Sequence, residues 1–123
     1  MQTYRSRAKV VESAILMEQG ITISACPPDS GYSPLIAAQA ADELISIKGI
    51  QASFVLAERE GAISISGRSL GEINVQLILE KLGGGGHLAV AGAQLKGATM
   101  DAAVNRLTQA VHEYLQESGM GQP

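Results

Sequence analysis

Apolar residues recur along this chain with two different spacings, one typical of helices and the other of strands. A spacing of three or four, which buries one face of a helix, occurs in four segments: 4–18, 34–48, 74–82 and 100–117. Ser33, Asn74 and Thr99 precede three of these segments and are residue types that cap the first turn of a helix. Pro34 suits the first helical position, and Gly49 suits the end of that helix.

Strand patterns fill the intervals between these helices, in four segments: 21–26, 51–58, 62–68 and 93–96. The apolar centre Phe54–Leu56 indicates a strand that is covered on both faces. Strict alternation in 62–68 places two isoleucines on one face and Ser64, Ser66 and Arg68 on the other. A short turn joins 51–58 to 62–68, which predicts a hairpin. We therefore predict an α/β fold, with a mixed central sheet of four to five strands flanked by helices in a single domain.

Composition agrees with one soluble globular domain. The chain has 123 residues, of which 46% are hydrophobic and 17% charged, and this length allows one core rather than two. Only 3% are aromatic, so the core must consist mainly of Ile, Leu, Val and Ala. The formal net charge is −3, which argues against the extended basic surface of a duplex-binding protein. Cys26 is the single cysteine and allows no internal disulfide, as expected in a reducing compartment.

The segment from Gly83 to Ala93, with the sequence GGGGHLAVAGA, combines four consecutive glycines with a histidine. It is not a Walker loop, because it lacks the Lys-Ser/Thr pair and follows a helix. Gly83 can end the preceding helix, and a tight turn can take up further glycines. Alternatively, backbone N–H groups form a nest that binds an anion beside His87. The residues alone leave both interpretations open, and His87 can also be a half-buried structural residue.

Arg68 is the second candidate for anion binding. It is followed by Ser69 and shares a strand face with Ser66. A planar guanidinium beside hydroxyl groups suits a phosphate, because it can donate to two oxygens at once. The alternative is a solvated strand face with a surface arginine, which the spacing alone favours.

The sequence offers no complete catalytic or metal-binding set. His112, the second of the two histidines, falls on the polar face of the last predicted helix, where we expect it to be exposed. Asp29, Asp42 and Asp101 do not pair with a histidine at the spacing of metal ligands. The residues therefore suggest the binding half of a site rather than a complete catalytic site.

The glycine–histidine segment resembles the G-G-G-H signature in the C-terminal substrate-binding domain of the DHH phosphoesterase family. That family includes RecJ-type exonucleases, nanoRNases that degrade short oligonucleotides, and cyclic-dinucleotide phosphodiesterases. Ser66–His87 (SGRSLGEINVQLILEKLGGGGH) and Ala37–Leu56 (AAQAADELISIKGIQASFVL) look most like the membrane-anchored bacterial cyclic-di-AMP phosphodiesterases. The resemblance covers most of residues 21–115. Val90 stands where members usually have Ala or Asn, and Gly92–Ala93 resembles the nuclease branch.

The resemblance implies nine substrate-binding residues in this chain and no catalytic residue. An arginine with two serines beside it would bind substrate phosphate or sugar. The glycine segment would close on the phosphate and base from across the cleft, and two small residues would leave room there. In that order, the residues are Ser66, Arg68 and Ser69, then Gly84, Gly85, Gly86 and His87, then Ala91 and Gly92.

In the family, Mn²⁺ ions held by Asp and His of an N-terminal DHH domain assist the hydrolysis. No Asp-His-His motif occurs in this sequence. The resemblance therefore implies that residues 20–117 are the DHH-associated substrate-binding domain of a longer enzyme, with no metal or other cofactor of its own. Residues 1–19 would be an interdomain linker helix, and 118–123 a disordered tail. Alone, the domain would be inactive.

The implied substrate is cyclic-di-AMP. The alternatives are the short oligonucleotides of a nanoRNase or RecJ-type exonuclease, or a non-catalytic nucleotide-binding module. The implied partners are the cyclic dinucleotide or short oligonucleotide, the DHH catalytic domain of the same chain, and a second copy in a homodimer. The domain would be cytoplasmic and act in bacterial signalling, on a parent protein anchored to the cell membrane.

Overall fold

The computed structural model describes residues 2–26 and 34–120, and four α-helices and six strands occur in these ranges. The helices are α1 (Gln2–Glu12), α2 (Pro34–Ile45), α3 (Val75–Glu80) and α4 (Met100–Glu117). The strands are β1 (Ile15–Leu16), β2 (Ile21–Ala25), β3 (Ala52–Arg59), β4 (Ala62–Ser69), β5 (Gly85–His87) and β6 (Val90–Lys96). These elements confirm the predicted α/β class.

The strands form one mixed sheet in the order β1-β2-β3-β4-β6-β5. β2 and β3, which α2 connects, are parallel. The other neighbouring strands are antiparallel. The mixed sheet flanked by helices is confirmed, but it has six strands rather than four to five. The two unpredicted strands, β1 and β5, have two and three residues and are too short to show an alternating pattern.

The helix predicted over 4–18 is wrong at its C-terminal end. α1 stops before Ser13, whose Oγ donates to the Val10 carbonyl at 2.8 Å. The chain then turns, and Ile15 pairs with Ile23 between β1 and β2. Ile15 continues the apolar stripe of the helix in sequence only, since it lies at the sheet edge and is 68% exposed.

Each face of the sheet carries its own apolar layer. On one face, Phe54 and Leu56 pack in a core with α3 and α4. On the other face, Val55 packs in a second core with α1 and α2. All three side chains are fully buried, which confirms that β3 is covered on both sides. The two cores are rich in Ile, Leu, Val and Ala, as the composition predicts.

β3 and β4 form the predicted hairpin through a two-residue turn. Glu60 and Gly61 both have positive φ, at 55° and 79°, which is the conformation whose twist matches that of the flanking strands. The predicted caps Asn74 and Thr99 are also confirmed. Each accepts a hydrogen bond of 3.1 Å from the N–H three residues further on. The predicted Ser33 cap lies outside the described residues.

A turn follows the C-terminal end of both α2 and α4. α2 ends at Ile45, earlier than predicted, and Gly49 adopts φ 94° in the turn that follows. After α4, the Met120 N–H donates to the Leu115 carbonyl at 2.9 Å, and Met120 packs against the core. Residues 121–123 of the predicted tail lie outside the described residues. Within the described ranges, no helix has the length and apolar character needed to cross a membrane.

Candidate functional site

β4, β6 and β5 lie side by side, and their register arranges several of the predicted site residues in two rows on one face of the sheet. In each row, one β4 residue and one β5 residue pair with the same β6 residue. Directly paired residues share a face, with Cβ atoms about 5 Å apart. We call this surface the Arg68–His87 face. Its two rows are Arg68, Val90 and His87, and Ser66, Gly92 and Gly85.

The Arg68–His87 face continues the side of the sheet on which α2 packs. α2 contacts β3 and β4, whereas the Val90 side chain on β6 is 41% exposed and His87 on β5 is exposed. α3 contacts β5 and β6 from the opposite side, where Ala91 and Leu95 join its core. The β5–β6 end of this face is therefore a solvent-accessible part of the sheet surface, next to α2.

The first glycine of the segment ends α3. Gly83 has φ 85°, and its N–H donates to the Glu80 carbonyl at 3.1 Å. The Gly84 N–H donates to the Leu79 carbonyl at 2.8 Å. This pair of bonds is the Schellman arrangement, which satisfies carbonyl groups in the last turn of a helix. The helix-cap interpretation of Gly83 is therefore confirmed.

Two further glycines are required by the close approach of β5 and β6. A Cβ atom on Gly84 would lie 2.2 Å from the Gly92 carbonyl oxygen. One on Gly86 would lie 2.5 Å from the Val90 carbonyl oxygen, and Gly86 also has φ 144°. Both positions therefore exclude side chains for structural reasons.

Gly85 is the glycine of the run for which the fold gives no such reason. It is not among the glycines with positive φ, and a Cβ there would meet no atom within 4 Å. It lies on the Arg68–His87 face, opposite Gly92. Because Gly85–His87 is an extended strand, successive N–H groups point in opposite directions, and a nest of consecutive N–H groups is excluded there.

Arg68 is held in place by two hydrogen bonds. Its Nε donates to Asp42 Oδ1 at 2.9 Å, and its Nη1 donates to the Gly67 carbonyl at 2.9 Å. A guanidinium has five N–H donors, so three remain without a partner among the described residues. The side chain is only 15% exposed, which contradicts the alternative of a solvated surface arginine.

Asp42 is the residue of this site that the sequence did not reveal. It lies on α2, 26 positions before Arg68, and no local spacing relates the two. The sequence contained only an indirect indication of this contact. The buried stripe of α2 is formed by Ala37, Ala40 and Leu44, and Asp42 lies beside that stripe. Only the packing of α2 on β4 brings the carboxylate to the guanidinium.

Four predicted site residues do not lie on the Arg68–His87 face. Ser69 is 5% exposed, and its Oγ accepts from the Gly71 N–H at 2.7 Å in a local turn. Ala91 belongs to the core under α3 and α4. The strand predicted over 93–96 begins at Val90, so Ala91 is a strand residue whose side chain points away from the face. Gly84 and Gly86 fall on that same side by alternation.

The two histidines are both exposed, but only one lies near Arg68. The backbones of the strands carrying His87 and Arg68 are about 10 Å apart, since one strand separates them. Within the described part of the chain, the ring of His87 has no hydrogen-bond partner, and its exposure contradicts a half-buried structural role. His112 on α4 has a side chain 52% exposed, with Nε2 3.7 Å from Glu18 Oε1, which confirms its predicted exposure.

The described residues offer no ligand set that fits a metal. No group of three or more His, Cys, Asp or Glu side chains among them could hold an ion. Cys26 is buried beneath α1 and α2, and burial raises the pKa of its thiol to about 11. A buried thiol with so high a pKa is a poor nucleophile, so Cys26 is structural.

The chain is similar to known phosphodiesterases over most of its length. It is 44% identical, over 92% of this chain, to the cyclic-di-AMP phosphodiesterase GdpP of Geobacillus thermodenitrificans, of which it spans 17%. It is 34% identical, over 94% of this chain, to the bifunctional oligoribonuclease and PAP phosphatase NrnA of Thermus thermophilus, of which it spans 36%. The chain thus corresponds to a small part of each relative.

The fold has a solved counterpart. An exopolyphosphatase-related protein from Bacteroides fragilis superposes with a TM-score of 0.79 and 25% identity, over 92% of this chain and 35% of that one. The model of the DHHA1 domain family matches residues 15–117. This match includes β1 to α4 and both rows of the Arg68–His87 face. Because it covers most of the sequence, the chain belongs to the DHHA1 domain family, the DHH-associated domain that its glycine–histidine segment indicated.

Proposed function

We propose that this chain is the substrate-binding half of a phosphodiesterase that hydrolyses cyclic-di-AMP. The observation that carries the proposal is Arg68, which is held by Asp42 yet keeps three donors that have no partner among the described residues. In the same row lies His87, whose ring also has no partner in that part of the chain. The similarity to a cyclic-di-AMP phosphodiesterase supports cyclic-di-AMP as the substrate. The catalytic DHH domain would belong to the same longer chain.

Four residues of the face have a defined role in this proposal. Arg68 donates to phosphate oxygens, where a planar fork can meet two of them. His87 donates or accepts at the far end of the row, about 10 Å away, so one nucleotide can contact both residues. Gly85 and Gly92 present bare backbone between them, which leaves space for a sugar or base. Donors fixed before the reaction also stabilise charge that develops on the phosphate in the transition state.

The catalytic metal belongs to the other domain in this proposal. Mn²⁺ would supply activation of the attacking water, and we assign its ligands to the DHH domain. Since the described residues of this chain do not fit a manganese site, we derive no step of the reaction from them. We also propose that the domain lies in the cytoplasm of a bacterium, on a membrane-anchored parent, and that it pairs with a second copy.

A short oligonucleotide is the second candidate substrate. The 34% identity to an oligoribonuclease favours it, and so does Gly92–Ala93, which resembles the nuclease branch of the family. A terminal phosphodiester could occupy the same row. The two substrates differ in what extends beyond the phosphate, so the same face can serve either one.

Calorimetric titration of the chain with cyclic-di-AMP, its linear dinucleotide and a short RNA tests the proposal. We expect binding of cyclic-di-AMP, weakened at least about tenfold by Arg68→Ala and by His87→Ala. Arg106→Ala and His112→Ala are matched controls on α4, across the sheet, and should leave the affinity unchanged. The melting temperature should change little in the variants of the exposed residues His87, Arg106 and His112. It should change little in Arg68→Ala as well, because the carboxylate that pairs with Arg68 is 62% exposed and such a pair contributes little stability.

Other outcomes have distinct meanings. Tighter binding of the short RNA would favour the oligonucleotide alternative. Absence of binding to any of the three ligands would contradict the proposal. Hydrolysis of bis(p-nitrophenyl) phosphate separates binding from catalysis: we expect no turnover by this chain with added Mn²⁺, and clear turnover by a pure sample would contradict its assignment as a half-site.

A further inference from the structure

We infer that Asp42 is a positioning residue that orients the Arg68 guanidinium for phosphate binding, an inference that rests on the proposed function. The Asp42 carboxylate accepts from Nε of Arg68, and the Gly67 carbonyl accepts from Nη1. The two acceptors fix the guanidinium plane from two sides, because Nε and Nη1 lie at different edges of it. The three N–H groups left are one on Nη1 and two on Nη2, and they have no partner among the described residues.

Burial shows that this contact is not explained by stability alone. The Asp42 side chain is 62% exposed, whereas Arg68 is 15% exposed. An ion pair with such an exposed partner contributes little to folding. The contact instead restricts the rotamers of the Arg68 side chain before a ligand binds. An unrestricted arginine would lose that rotamer entropy on binding, which would lower its affinity for the ligand.

The carboxylate also carries a cost that makes the inference testable. Its negative charge lies next to the guanidinium and opposes an incoming phosphate. Removing Asp42 therefore has two opposite effects on phosphate affinity: less repulsion and less orientation. If orientation dominates, the loss of the acceptor must weaken binding even though a repulsive charge has gone.

Two substitutions separate the charge from the acceptor. Asp42→Ala removes both, while Asp42→Asn keeps an oxygen that can accept from Nε. We expect Asp42→Ala to weaken cyclic-di-AMP binding about five- to tenfold, and Asp42→Asn to stay within about twofold of the unmodified protein. Glu43→Ala is the matched control, because Glu43 is the neighbouring carboxylate of α2 and pairs with Arg7 instead.

A double-mutant cycle shows whether Asp42 acts through Arg68. Lysine has no Nε fork to be oriented, so in an Arg68→Lys background Asp42→Ala should cause no further loss of affinity. A loss in that background as large as in the unmodified protein would overturn the inference. So would equal losses for the Ala and Asn variants, tighter binding by both, or no change in either.

A measurement without ligand keeps this inference distinct from the proposed function. In the NMR spectrum, the Nε–H signal of Arg68 should exchange slowly with water in the unmodified protein and in Asp42→Asn. It should exchange fast in Asp42→Ala. Fast exchange in all three would overturn the positioning role, whatever the ligand result. Slow exchange together with no binding of cyclic-di-AMP would instead contradict the proposed function, and with it the role in phosphate binding.

Discussion

Cys26 shows how burial of a single group makes folding depend on pH. It follows β2, is 2% exposed, and has a thiol whose pKa burial raises from 9.0 to about 11. The folded state therefore favours the neutral thiol more than the unfolded state does. This contribution is fully present below about pH 9 and is lost as the pH rises towards 11, because only the unfolded chain can readily release the proton.

We accordingly expect the unfolding free energy to fall over this pH window, by at most about 2 kcal/mol once solvent screening is allowed for. Urea denaturation of the unmodified protein and of Cys26→Ala at several pH values measures the effect. Other groups that titrate in the window are common to both proteins, so the difference between the two is the quantity to follow. A difference that stays constant with pH would contradict the assignment.

At the scale of the element, the glycine segment divides into structural and ligand-facing positions. Gly84→Ala would place a Cβ 2.2 Å from the Gly92 carbonyl oxygen, and backbone would have to move to accept it. Gly85→Ala would meet no atom within 4 Å. The two neighbouring substitutions are chemically identical, so each serves as the control for the other.

We expect Gly84→Ala to lower the unfolding free energy by roughly 1 to 3 kcal/mol, and Gly85→Ala to leave it within about 0.5 kcal/mol. Gly85→Ala should instead weaken nucleotide binding, since its methyl group would project from the Arg68–His87 face. Thermal unfolding and calorimetric titration of both variants measure these effects. Equal stability losses, or an unchanged affinity for Gly85→Ala, would show that the division is wrong.

Elements could be predicted where one local rule dominated. The caps at Asn74 and Thr99 and the alternation of β4 follow from neighbours in sequence, and the structure confirms them. β1 and β5 were not predicted, because a short strand is specified by the strand with which it pairs, and that strand lies elsewhere in the chain. Ile15 illustrates this: its spacing fitted a helix, but pairing with β2 decided its structure.

For the whole molecule, the site residues fall into two groups: those that a local sequence pattern specifies, and those whose place depends on packing between distant parts of the chain. Arg68, Ser66, Gly85, Gly92 and His87 were all predicted, and register brings them to one face. Which of the predicted residues point away from that face depends on the alternation of β5 and β6. β5 was not predicted, and the strand predicted over 93–96 begins three residues earlier, at Val90. The contact of Asp42 with Arg68 depends on helix–sheet packing, for which no motif exists.

The two cores share one sheet, and this arrangement predicts how the molecule unfolds. Leu44 lies in the core under α1 and α2, and Leu107 in the core under α4; both are buried. Because β3 contributes to both layers, loss of either core should expose the other.

Leu44→Ala and Leu107→Ala should each lower the unfolding free energy by about 2 to 5 kcal/mol, in a single transition. Amide hydrogen exchange tests this coupling: Leu44→Ala should speed exchange in α4 as much as in α2. Faster exchange confined to α2 would show that the two layers unfold independently.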